Sequence, residues 1–146
     1  MMNGVKVREM TVKDVPEVVE IQESITKKKV PGGWARRMET QVRCHDTAGF
    51  VALRDDRVVG FIFGEIKGPA FGIEKSGWVV GIGVCPRYMG IGIGQTLAKE
   101  MVDFFKKEGV KEIYTAVRWH AVDMLSFFKS IGFNRSDFID LRKYVE

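Results

Sequence analysis

Val84-Cys85-Pro86-Arg87-Tyr88-Met89-Gly90-Ile91-Gly92-Ile93-Gly94-Gln95-Thr96-Leu97 is the stretch whose reading decides the fold. An apolar run from Trp78 is stopped by Pro86, and three glycines then follow at alternate positions. Beyond them Leu97, Ala98, Met101, Val102 and Phe105 recur at helical spacing, and Gly109 stands where a C-cap belongs. The pattern predicts a buried strand, a glycine turn and a helix over Gln95 to Glu108. A helix N-terminus presents unpaired backbone N–H groups and a partial positive charge. With side chains removed there, an anion such as a pyrophosphate can lie against the backbone. Glycines at this spacing also serve tight packed turns, so the triplet alone leaves both readings open. Two other phosphate motifs are excluded. A P-loop ends in Gly-Lys-Ser/Thr, whereas Gly94 is followed by Gln95-Thr96. A dinucleotide-binding fold carries its glycines on the first strand, with several strand–helix units after it. Only about fifty residues follow Gly94, enough for one such unit.

Working outward, Val5 to Arg8 alternates and predicts a first strand. Thr11 with Asp14 offers a helix start, and Val15, Val18, Val19, Ile21 and Ile25 continue at helical spacing into Lys27-Lys28-Lys29. A second helix is expected over Trp34 to Arg43, after Pro31-Gly32-Gly33. Gly49 to Arg54 and Val58 to Ile66, joined by Asp55-Asp56, read as a hairpin. Lys67 to Gly77 is a glycine-rich loop. Gly81 and Gly83 inside the strand Trp78 to Val84 point to a bulge or a close approach. Glu112 to Arg118 predicts another strand, Ala121 to Ile131 a helix ending at Gly132, and Phe133 to Val145 a last strand. No repeat or linker interrupts this order. It implies one mixed α/β domain over residues 1–146.

In this context the glycine stretch resembles the acyl-CoA signature of the GNAT N-acetyltransferase family, in which Val-x-Pro, an aromatic and Arg/Gln-Gly-x-Gly-Ile/Val-Gly open the helix. Phe127-Phe128-Lys129-Ser130-Ile131-Gly132-Phe133 is similar to that family's second motif, Leu-Tyr-x-x-x-Gly-Phe, and Gly60-Phe61 sits where its hairpin carries Gly-Phe. The resemblance covers nearly the whole chain in element order. It implies a mostly antiparallel central sheet with a splayed strand and flanking helices. It further implies transfer of an acetyl or other acyl group from acetyl-CoA, as co-substrate, to a primary amine of a small molecule or a peptide N-terminus. By the same resemblance Ile82, Gly83 and Val84 pair their backbone with the pantetheine arm. Gly90, Ile91, Gly92, Ile93, Gly94 and Gln95 cradle the pyrophosphate. Bulged or splayed strands have the free backbone groups that an amide-rich arm needs.

The chain also departs from that pattern. The family's Arg/Gln falls on Met89, with Arg87 in an alternative register as a candidate phosphate contact. Its frequent Asn is Ala121, and the Tyr that would protonate a leaving thiolate is Phe128, expected beside the cofactor. A glutamate that some members use as base falls at Ala116, and Trp78 to Val84 contains no carboxylate. Tyr114 and His120 are the remaining catalytic candidates. Tyr114 shares strand parity with Ala116 and Arg118, and His120 lies at the strand–helix junction. A packing tyrosine and a surface histidine are the ordinary readings of the same residues. Glu65 and Glu74 flank the glycine-rich loop and are candidates to meet an amine. Direct attack by a neutral amine needs mainly proximity and a polarised carbonyl, so it survives without these groups. The alternative reading is a non-catalytic acyl-CoA-binding sensor.

Composition narrows the rest. A net charge of +4, from Lys+Arg 23 against Asp+Glu 19, with a single basic cluster at Lys27-Lys28-Lys29 and Arg36-Arg37, does not make the stripe expected of a nucleic-acid binder. Cys44 and Cys85 give no disulfide framework, and Cys44-His45 has no second pair at ligand spacing, so no metal is expected. No apolar run is long enough to span a bilayer. A cytoplasmic monomer or homodimer, without membrane or nucleic-acid partners, is the expectation.

Overall fold

The computed structural model describes residues 4–69 and 72–146. Its backbone gathers into two units, Met1–Thr115 and Ala116–Glu146.

The first unit is built on a sheet of β1 (Val5–Glu9), β2 (Thr47–Arg54), β3 (Arg57–Lys67), β4 (Ser76–Val84) and β5 (Ile113–Thr115), in that spatial order. β1 to β4 are antiparallel neighbours, and β4 pairs with β5 in parallel. A parallel pair needs a crossover, and α3 (Ile93–Lys107) supplies it. α1 (Val15–Thr26) and α2 (Gly32–Arg43) connect β1 to β2. The hairpin turns on Asp55 and Asp56, both left-handed with φ 52° and 63°. Consecutive left-handed residues match the twist of a two-residue hairpin, and Asp tolerates that region better than most side chains.

Each face of the sheet is covered by helices. Val15, Val18, Ile21 and Met38 from α1 and α2 form a buried core with Val51, Val58, Phe61 and Phe63. Strand alternation sends Ile62 to the opposite face, where Leu97, Met101 and Phe105 of α3 are fully buried. Each such side chain contributes about 1.5–3 kcal/mol by leaving water. Gly77 marks the α3 face of β4, since a Cβ there would lie 2.8 Å from Phe105.

The entry to α1 is held by charge. Asp14 closes a 3-10 turn (Val12–Asp14) and accepts the Thr11 backbone N–H at 2.8 Å. The two guanidinium nitrogens of Arg8 donate to its two oxygens at 2.7 and 2.9 Å. Burial by itself pushes this carboxyl up, but the Arg8 fork and the Thr11 N–H outweigh it and hold Asp14 below its usual range.

The second unit is described by itself. It contains α4 (Val122–Ser130), preceded by a turn at Trp119-His120. Phe128 packs edge-on against Phe127 and Phe133, at centroid distances of 5.2 and 5.1 Å. Gly132, at φ 100°, lets the chain reverse so that the Phe133 N–H donates to the Phe128 carbonyl at 2.9 Å.

Two expectations are corrected. The strand expected over Glu112 to Arg118 is only Ile113–Thr115, and Phe133 to Val145 forms no strand. A strand exists through its partner's hydrogen bonds. Among the described residues, the ladder on β4 stops at Val79↔Thr115 and no pairing involves a residue beyond Thr115. Ala116 and Arg118 therefore do not share strand parity with Tyr114.

Candidate active site

Among the described residues, β4 is bordered on both edges only at its start. β5 pairs with Gly77, Trp78 and Val79, and the last link is the Thr115 hydroxyl donating to the Val79 carbonyl at 2.9 Å. On the β3 side the register jumps between Gly64↔Val79 and Phe63↔Gly81, so Val80 is a bulged residue. Beyond it the Cys85 N–H donates to the Val59 carbonyl at 2.8 Å. Alternation from Cys85 directs Gly83 towards β3 and turns the backbone N–H and C=O of Ile82 and Val84 to the outer edge. No strand among the described residues pairs with that edge from Val80 to Val84. At about 3.3 Å per residue it offers about 16 Å of free backbone. The bulge anticipated from Gly81 and Gly83 is thus present at Val80. Gly83 also lies under the Phe61 ring, where a Cβ would come within 2.6 Å of it.

The free edge runs into the glycine turn. A 3-10 turn, Pro86–Tyr88, leads to Met89 in an extended conformation, then to Gly90 at φ 83° and Gly92 at φ 95°. Both glycines occupy the left-handed region that side chains disfavour. A Cβ on Gly90 would meet no protein atom within 4 Å, so its front is open space. α3 begins at Ile93 with Gly92 as N-cap and no side-chain cap. Its first intrahelical bond is from Thr96 N–H to the Gly92 carbonyl at 3.1 Å, leaving the N–H groups of Ile93, Gly94 and Gln95 without intrahelical acceptors. Ile93 is buried and anchors the turn, while Met89 and Ile91 are exposed. Two cations lie against the ring of Tyr88, two residues before Gly90. The Arg87 guanidinium lies 5.9 Å from the centre of the Tyr88 ring and that of Arg54 lies 5.5 Å from it. Sequence reasoning missed Arg54. β2 and β4 both run antiparallel to β3, so their C-terminal ends lie at the same end of the sheet, and only that pairing brings Arg54 to Tyr88.

The catalytic candidates are distributed otherwise. Tyr114 lies opposite Trp78 across the β4–β5 ladder, with ring centroids 5.1 Å apart and an interplanar angle of 25°. Its hydroxyl donates to the Glu112 carboxylate. Glu65 is the β3 partner of Trp78 and forms an ion pair of 3.8 Å with Lys67. Glu74 is exposed in the loop before β4. His120 is exposed in its turn, and His120 and Phe128 both belong to the second unit. Among the described residues no group of three or more His, Cys, Asp or Glu could hold a metal ion, and no helix is long and apolar enough to cross a membrane.

A free strand edge can pair with an extended chain that carries amides, and an uncapped helix N-terminus can take an anion. The family model described as Acetyltransferase (GNAT) family matches residues 15–133. The chain belongs to the GNAT acetyltransferase family. A mycothiol acetyltransferase of Renibacterium salmoninarum is 31% identical over 94 residues, which are 63% of this chain and 28% of that protein. The chain thus spans little more than a quarter of that relative's length. Among solved structures, an aminoglycoside N-acetyltransferase in complex with CoA superposes with a TM-score of 0.84 at 15% identity, covering 96% of this chain and 94% of the other. A ribosomal-protein-alanine N-acetyltransferase of Brucella melitensis biovar Abortus 2308 gives 0.78 at 17% identity, covering 97% and 99%. At these identities the likeness is one of fold. The GNAT assignment accounts for the mixed, mostly antiparallel sheet and the parting of β4 from β5.

Proposed function

We propose that this GNAT chain is an acyl-CoA-dependent N-acetyltransferase that acts by direct transfer on a primary amine of a small molecule or a peptide N-terminus. The observation that carries the reading is the continuity of the free β4 edge with the glycine turn and the uncapped start of α3. The family match crosses the boundary at Thr115, which supports reading residues 1–146 as one catalytic domain.

The residues present fit an acyl-CoA. Gly90 to Gln95 offer the pyrophosphate free backbone N–H groups at an uncapped helix start and no Cβ in front of Gly90. Arg87 and Arg54 add positive charge beside it. Ile82 and Val84 have outward backbone donors and acceptors for the amides of the pantetheine arm, with Gly83 between them. Met89 has no polar group where the family pattern has Arg or Gln, and Arg87 is the nearest cation in sequence that replaces it. Acyl-CoA supplies the thioester, from which the acyl carbon passes to the amine nitrogen while the C–S bond breaks and the amine proton ends on the released thiol. The chain's part is to hold the arm extended and to present the amine to the face of the thioester carbonyl. Phe128 has no proton to give, and β4 has no carboxylate to take one.

Thermal unfolding with acetyl-CoA, desulfo-CoA and NAD tests the cofactor. At a hundredfold excess over Kd, binding stabilises by about 2.7 kcal/mol, or about 8 °C for a chain of this length. A shift with the two CoA species and none with NAD is expected. No shift with either CoA species overturns the reading. The absence of an acid at Phe128 and of a base on β4 favours one alternative, a binding module that shifts with CoA but transfers nothing to any amine.

A further inference from the structure

On the sheet face opposite α3, at the point where β4 and β5 part, lies an aromatic surface that already holds a cation. Trp78 and Tyr114 stack across the ladder. Both rings are tied at their polar ends, Trp78 by its indole N–H to the Ser76 hydroxyl at 2.9 Å and Tyr114 by its hydroxyl to Glu112. The Lys67 ammonium sits 4.4 Å from the centre of the Trp78 ring and 3.8 Å from a Glu65 carboxylate oxygen. The β3–β4 register sets Glu65 directly opposite Trp78, and Lys67, two residues on, shares its face. Trp78 immediately precedes Val79, the last residue of β4 that β5 covers. An extended arm lying on Val80 to Val84 from the glycine turn therefore ends beside this surface.

The chemistry here is that of a cation site. An ammonium over an indole face is attracted by the ring quadrupole, and a carboxylate beside it adds charge. The Lys67 side chain is 45% exposed and mounted on a flexible stem, so it can be displaced. The nitrogen that attacks a thioester must be uncharged, whereas this surface favours a charged one. They are different nitrogens. We propose that the acceptor carries a second, non-reacting cationic group, and that Trp78 and Tyr114 with Glu65 bind it by displacing Lys67. The acceptor class is a small diamine or polyamine rather than a monoamine. This rests on the transferase reading above.

The test is calorimetric titration of the CoA-saturated protein with 1,4-diaminobutane and with butylamine. The diamine is expected to bind at least tenfold more tightly. Lys67→Met is expected to strengthen diamine binding about two- to fivefold, because an exposed cation–π competitor has been removed. Trp78→Leu and Glu65→Gln are expected to weaken it by about the same factor or more, with the CoA-induced thermal shift retained in all three. Equal affinity for diamine and monoamine overturns the proposal, as does a Lys67→Met protein that binds the diamine no better than wild type. Discrimination between the amines without any CoA shift would refute the transferase reading and leave the cation site standing.

Discussion

Replacing Gly90 by alanine separates what the glycine turn does for the fold from what it does for a ligand. Gly90 sits at φ 83°, and a Cβ there would touch no protein atom within 4 Å. The only cost to the free protein is conformational, about 1–2 kcal/mol for an L-residue in the left-handed region. At about 2.1 cal/mol/K of unfolding entropy per residue, that lowers Tm by about 3–6 °C. A bound anion would meet the new methyl directly. Losing one charge-assisted hydrogen bond costs about 1.5–3 kcal/mol, which weakens CoA about ten- to a hundredfold. Gly77→Ala is the control. Its Cβ would lie 2.8 Å from Phe105, so it overpacks the α3 face by about 1–3 kcal/mol while sitting at the far end of β4 from the turn. The assay is CoA titration by calorimetry below both melting temperatures, with Tm measured in parallel. Gly90→Ala is expected to lose CoA affinity with modest destabilisation, and Gly77→Ala to lose stability with affinity intact. A Gly90→Ala protein that binds CoA like wild type would refute the assignment of the turn.

Two further predictions follow from the charges. Asp14 is held below its usual value in the folded chain, so its contribution is present above the unfolded carboxylate pKa of about 3.9 and is lost as pH falls through the folded value. Asp14→Asn should be less stable by about 1–3 kcal/mol at neutral pH, towards the lower end because Arg8 is half-exposed, and its Tm should fall less than that of wild type below about pH 4. Equal acid sensitivity of the two proteins in a pH series of melts would show that Asp14 is not the group responsible. A transferase without a carboxylate on β4 should also favour amines that are already neutral. About a tenth of an α-amine is neutral at pH 7, against less than about 0.1% of a lysine ε-amine. On matched substrates kcat/KM should favour the α-amine by more than about a hundredfold, and a preference for the ε-amine would contradict direct transfer in a base-poor site.

Much of this molecule is legible in local chemistry. The alternating and helical periodicities of Val5 to Arg8, Val15 to Ile25 and Leu97 to Phe105 record which face each segment buries, and burial is a property of the segment wherever it packs. Gly90 and Gly92 record backbone angles that other residues avoid, and Asp55-Asp56 a turn whose twist the hairpin demands. The glycine turn and its helix were therefore readable from residue types alone. Strand ends were not. Thr115 ends β5, and Phe133 to Val145 forms no strand, because a ladder needs a partner's backbone groups and no residue carries that information in its own side chain. The same limit applies to side chains that meet across strands. Arg54 reaches Tyr88, and Lys67, Glu65, Trp78 and Tyr114 assemble on one face, only through the registers of β2, β3, β4 and β5. In sequence these residues are separate, and their joint chemistry arises because a register places distant residues within contact of one another.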